Sequence, residues 1–61
     1  MSKKEVVETV FGRRSKYEIV RDHSWMGSVV FSILKDGKSY RGPYDELRDA
    51  VQRAKDDADK D

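Results

Sequence analysis

The sequence holds no cysteine, a single histidine, a single proline and four glycines in 61 residues. It also has no apolar run approaching the length of a membrane span. Each scarcity removes a class of function. Without cysteine there is no disulfide framework, and His23 alone cannot supply the three or four ligands of a zinc site. A histidine-based catalytic triad has only that one candidate base, and Ser24 beside it is no nucleophile signal, because triad partners meet in space. The glycines Gly12, Gly27, Gly37 and Gly42 are scattered, so no glycine-rich loop opens a helix to cradle a phosphate. The expectation is a protein without catalytic residues, metal, cofactor or small-molecule substrate. Met1 to Lys4 is polar and basic and no signal-peptide core follows it, so the expected place is the cytoplasm, away from membranes.

What is present is short and charged. Hydrophobic residues make up 36% of the chain and charged residues 41%, enough for one small core. A domain of this length buries only about 60% of the surface its unfolded chain exposes. Small scaffolds usually need a staple, and with disulfides and metals excluded the remaining one is a second copy, a homodimer. The net charge of +1 hides an asymmetry: residues 1–44 carry nine bases against five acids, and residues 45–61 four bases against seven acids. Such segregation bears on partners rather than on fold.

Periodicity gives the elements. Leu47, Ala50, Val51, Ala54 and Ala58 recur at helical spacing, which predicts a helix from Asp45 to about Ala58. Pro43 bars an earlier start, and Asp45 is the expected amino-terminal cap. Asp56, Asp57, Asp59 and Asp61 oppose the helix dipole, so residues 56–61 are expected to fray. Upstream, Asp36-Gly37 predicts a type I′ hairpin joining Val29–Lys35 to Lys38–Gly42. That turn pairs Lys35 with Lys38, Ile33 with Tyr40 and Phe31 with Gly42. Phe31, Ile33 and Tyr40 then face the helix, and Val30, Ser32, Leu34, Ser39 and Arg41 face away. Tyr17 to Asp22 reads as a further strand. Residues 5–11 suit either a short helix or a strand; three valines and a threonine in five residues favour the strand, with Gly12 to Ser15 as the loop that follows. The fold class expected is α+β: a three- or four-stranded antiparallel meander packed on one C-terminal helix, a single domain over residues 1–61. The expected core is Tyr17, Ile19, Phe31, Ile33, Tyr40, Leu47, Val51 and Ala54, with Trp25 and Met26 of the intervening loop closing its edge.

Two surfaces remain as functional candidates. One is basic: Arg13, Arg14 and Lys16 around one turn, Lys35 and Lys38 around another, and Arg41 on the open sheet face. Clustered cations of this kind bind nucleic-acid phosphates by releasing counterions, although turn charges also serve plain solubility. The other is apolar: Val20, Val30 and Leu34, joined by Val7 if the first strand exists, lie on the sheet face away from the helix. An apolar patch there marks a protein interface, unless residues 1 to 11 fold across it.

From Val29 onward the chain runs strand, Lys35-Asp36-Gly37-Lys38 turn, strand ending in Tyr40-Arg41-Gly42-Pro43-Tyr44, and helix with Ala50 and Ala54. That pattern resembles the layout of plant AP2-type domains and of the arm-binding domains at the amino termini of tyrosine integrases. It also resembles small uncharacterised proteins of bacteria and their phages. In the DNA-binding members, strand arginines and tryptophans enter the major groove; here only Arg41 takes an outward strand position. The resemblance implies phosphate holding more than base reading. Two readings follow: a nucleic-acid-binding accessory protein, slightly favoured, and a protein-binding module or inhibitor, such as a phage anti-CRISPR or antirestriction protein. In the second reading Asp45, Glu46, Asp49, Asp56 and Asp57 imitate phosphates toward a host protein.

Overall fold

The computed structural model describes residues 4–61. Four strands follow in order, β1 (Glu5–Phe11), β2 (Lys16–His23), β3 (Val29–Lys35) and β4 (Lys38–Tyr44), and a single helix, α1 (Leu47–Lys60), closes the chain. The sheet is an antiparallel meander in the order β1-β2-β3-β4, so the fold is α+β with the helix against one face. Residues 5–11 are a strand. Among the described residues no helix is long and apolar enough to cross a membrane.

The core is a thin layer between sheet and helix. Tyr17, Ile19 and Ile33 are its fully buried large side chains, and Ala50, Ala54 and Ala58 meet them from the helix. Alanine at every fourth position lets the helix lie close on the sheet, and Val7, Val10, Phe31, Tyr40, Tyr44 and Val51 pack around the contact. Leu47 is the exception to the expected core. It has the right azimuth but is the first helical residue, and Phe31 and Tyr44 fill that end of the layer, so it stays 36% exposed. The helix start is also corrected. Glu46, not Asp45, holds the cap position, and its side chain makes no capping bond. At the other end the helix is continuous to Lys60, through the segment expected to fray.

Irregularities in the two edge strands decide which side chains face where. Asp36 (φ 54°) and Gly37 (φ 83°) adopt the turn expected of them, and Lys35 pairs with Lys38 and Leu34 with Ser39. Beyond that the register slips: Ile33 opposes Arg41 rather than Tyr40, and Phe31 opposes Tyr44 rather than Gly42. β4 thus carries two more residues than β3 over this stretch, and both Tyr40 and Arg41 turn toward the helix. Gly42 (φ 121°) is required at the second slip, since a Cβ there would come 2.9 Å from the Ser32 Cα. The Gly42–Pro43 peptide is cis. β1 bulges as well: Val6 opposes Val20 but Glu8 opposes Ile19. The extra residue is Val7, and the shift lets Val7 and Val10, three apart, both reach the core. Val7 therefore leaves the open face, and Val6 takes its place opposite Val20.

The Trp25-Met26 loop also departs from expectation. The Ser24 hydroxyl accepts the N–H groups of Met26 and Ser28, the Ser24 carbonyl accepts from Gly27, and the Ser24 N–H donates to the Ser28 carbonyl. A loop cinched this tightly holds its tip away from the core. Trp25 is 93% exposed and Met26 70%, so neither covers the core edge.

Candidate nucleic-acid interface

The meander sends the β1–β2 and β3–β4 connections to the same end of the sheet. A reciprocal pair of bonds locks them together: the Lys16 N–H donates to Asp36 Oδ1 at 3.0 Å, and the Asp36 N–H donates to the Lys16 carbonyl at 2.9 Å. The helix returns to this end too, where the Asp61 carboxylate accepts the Arg14 N–H at 3.0 Å and packs so near Gly12 that a Cβ there would collide with it. Arg13, Arg14, Lys16, Lys35 and Lys38 are thereby collected at one pole. Lys60 in the last helical turn joins them; sequence periodicity could place it on the helix but not beside the turns.

Of the acids that reach this pole, Asp36 and Asp61 are spent on backbone, and Asp59 in the last helical turn stays exposed. Asp36 binds the Lys16 N–H and Asp61 the Arg14 N–H. The cationic heads are freer. Arg13, Arg14 and Lys38 make no ion pair among the described residues, and Lys16 makes only a long one, 3.9 Å to Glu18. The Lys35 ammonium lies over the rings of Tyr17 (5.6 Å to the centroid) and Tyr40 (5.3 Å). Its pKa is raised, first by the Tyr17 hydroxyl, against a smaller opposing effect of burial.

Arg41 does not belong to this group. The slip in β4 brings its Nε within 3.1 Å of Asp57 Oδ2, and its guanidinium stacks over Tyr40 at 5.0 Å. The same Asp57 oxygen accepts the Tyr40 hydroxyl at 2.8 Å and lies 3.9 Å from Arg53 Nε. Asp57 is thus the hub between β4 and the helix. Burial alone would raise its pKa, but the Tyr40 and Arg41 hydrogen bonds and the nearby guanidinium charges outweigh that and hold it below the ordinary value. The Arg41 pKa is raised, first by Tyr40 and then by Asp57. No sequence signal announces the hub, because its members are separated by 16 and 17 positions and meet only through the slipped register.

The hub corrects both surfaces at once. Arg41 leaves the open sheet face, and Asp57 leaves the set of helix carboxylates available to imitate phosphates. Of the rest, Glu46 is paired with Arg48 and Asp56 with Gln52, leaving Asp45 and Asp49 without a side-chain partner among the described residues.

The open face has its own composition. Lys16, Glu18, Val20 and Asp22 alternate with the buried Tyr17 and Ile19 along β2, and pairing adds Val30, Ser32 and Leu34 from β3 and Val6, Thr9 and Phe11 from β1. Val20 at its centre is buried, 3% exposed, whereas Val30 and Leu34 are half-buried and Val6 and Phe11 exposed. Glu18 and Asp22 make this face unsuited to phosphates, so cationic character is confined to the pole. No protein-family model, curated protein or solved structure matches the chain.

Proposed function

We propose that the chain is a small non-enzymatic binding protein that holds nucleic-acid phosphates with the basic pole of its sheet. The observation that supports this reading is the lock between Lys16 and Asp36, which gathers two basic turns while Asp36 and, separately, Asp61 are turned onto backbone N–H groups. Arg13, Arg14, Lys16, Lys35 and Lys38 are the binding residues. They come from turns and strand ends around a pole, not from a row that fits a groove, so the recognition is of phosphates and is independent of sequence.

Anisotropy titrations with a labelled duplex over a range of salt test it. Binding weakens with salt at a log–log slope near −0.9 for each phosphate neutralised, so four contacts give about −3.6. The double variant Arg13→Ala/Arg14→Ala flattens that slope by up to two contacts' worth with the fold intact, since exposed charges contribute little to stability. Arg41→Ala leaves the slope unchanged. Absence of DNA or RNA binding at low salt, where attraction is strongest, removes this reading.

A second reading, a protein-binding module of the kind phages direct against host defences, is favoured by the exposed apolar residues Val6 and Phe11 beside the half-buried Val30 and Leu34. Capture of a protein partner that survives nuclease treatment, and is lost on changing Leu34, would support it.

A further inference from the structure

We infer that the open sheet face is the docking surface for a second copy of this chain, with the two sheets stacked face to face and their β2 strands antiparallel. This inference does not rest on nucleic-acid binding.

Three observations select that occupant. The first is the distribution of residues on the face. One half carries Phe11, Lys16, Glu18 and Leu34; the other carries Val6, Val20, Val30 and Asp22. A two-fold axis lying across the strands sets each half over the opposite half of the second copy, so Phe11 meets Val6, Leu34 meets Val30 and Lys16 meets Asp22, while Glu18, 3.9 Å from Lys16 of its own copy, falls over Val20. At those three pairs the face is self-complementary, as an isologous interface must be.

The second is charge along the molecule. The end opposite the basic pole carries Glu5 and Asp22 from the sheet and Asp45, Glu46 and Asp49 from the start of the helix, against Lys4, Arg21 and Arg48. Antiparallel stacking lays the basic pole of one copy beside the acidic end of the other. A parallel arrangement would set like ends together.

The third is area. Four strands about 4.8 Å apart and seven residues long offer roughly 450 Å² in projection, with strands rising about 3.3 Å per residue. Covering two such faces removes on the order of 1,000 Å², the lower bound of specific interfaces. An interface of that size belongs to the small, readily dissociated class, so concentration-dependent association is the expected behaviour. Edge-to-edge pairing is the rival geometry. It is disfavoured because β4 carries Pro43 and two register slips, and β1 a bulge, devices that blunt edges.

Sedimentation of the full chain from low to high micromolar concentration tests the inference, with absorbance ratios excluding carried nucleic acid and circular dichroism confirming the fold of each variant. The wild type should pass from 7.1 kDa to twice that mass. Phe11→Ser, at a residue 76% exposed in the single chain, should raise the dissociation constant about tenfold or more. Leu34→Ser should do the same. Lys16→Asp and Asp22→Lys should each weaken the dimer, and the double variant should restore it. A strict monomer throughout would overturn the inference. So would a dimer indifferent to Leu34→Ser, which lies on an inner strand that edge pairing would not sense, or single charge reversals that the double variant fails to rescue.

Discussion

Asp57 ties β4 to the helix, because one of its oxygens receives Tyr40 and Arg41 from β4 while Arg53 stands one helical turn away. Its depressed pKa converts into a pH dependence whose sign is fixed by linkage. The unfolded chain binds the proton more readily than the folded one, so the hub's stabilisation is fully present above the ordinary carboxylate range and is lost as pH falls through it toward the folded value. Thermal melts of wild type and Asp57→Asn at neutral pH and near pH 3 read this out. The wild type should lose more stability on acidification than the variant, and equal losses would show that Asp57 does not titrate as its partners require. Nothing in the sequence distinguishes Asp57 from Asp56 or Asp59. All read as solvated acids on a helix, and only the extra residue in β4 gives one of them a hydroxyl and a guanidinium to hold.

Elements were legible where local chemistry dictates them. Asp36-Gly37 fixed the hairpin through its positive φ values, β-branched residues made 5–11 a strand, and Ala50, Ala54 and Ala58 gave the buried stripe of the helix. Registers on the edge strands were not legible, since a slip arises from packing against the helix and not from turn chemistry. For that reason Val7 and Arg41 lie on the opposite face from the one expected, Tyr40 keeps its expected face but not its expected partner, and Leu47 differs because periodicity gives an azimuth but not whether the core extends beneath it. A pair of truncations separates the two kinds of position. Ile33→Ala, at a fully buried site on an inner strand, should cost ~2–5 kcal/mol and leave so small a domain largely unfolded at room temperature. Leu47→Ala should change stability by about 1 kcal/mol or less, because the side chain is already partly in water and alanine is the better helix former. Denaturant titrations of both variants decide it; comparable losses would place Leu47 in the core after all.

On the scale of the whole molecule, the sequence divides into a basic part and an acidic part, but folding does not keep them as two halves. The helix runs back along the sheet, so Asp59 and Asp61 arrive beside the basic turns while Asp45, Glu46 and Asp49 stay at the far end. The polarity that survives is along the long axis, 35 Å in extent, and the two proposals both draw on it. They also oppose each other. In the antiparallel dimer the acidic end of one copy lies alongside the basic pole of the other, where a nucleic-acid backbone would approach, so each phosphate contact competes with the second copy. Coupling between two binding events is reciprocal: if dimerisation weakens DNA binding, DNA must dissociate the dimer by the same factor. Adding a short duplex at low salt to the wild-type dimer should therefore yield complexes of single chains with the duplex, seen as loss of the dimer boundary in sedimentation. Phe11→Ser and Leu34→Ser, which leave every charge in place, should bind the same duplex at least as tightly as the wild type at high protein concentration. Dimers that take up the duplex intact, with no change in self-association, would show instead that the basic pole and the open face work independently.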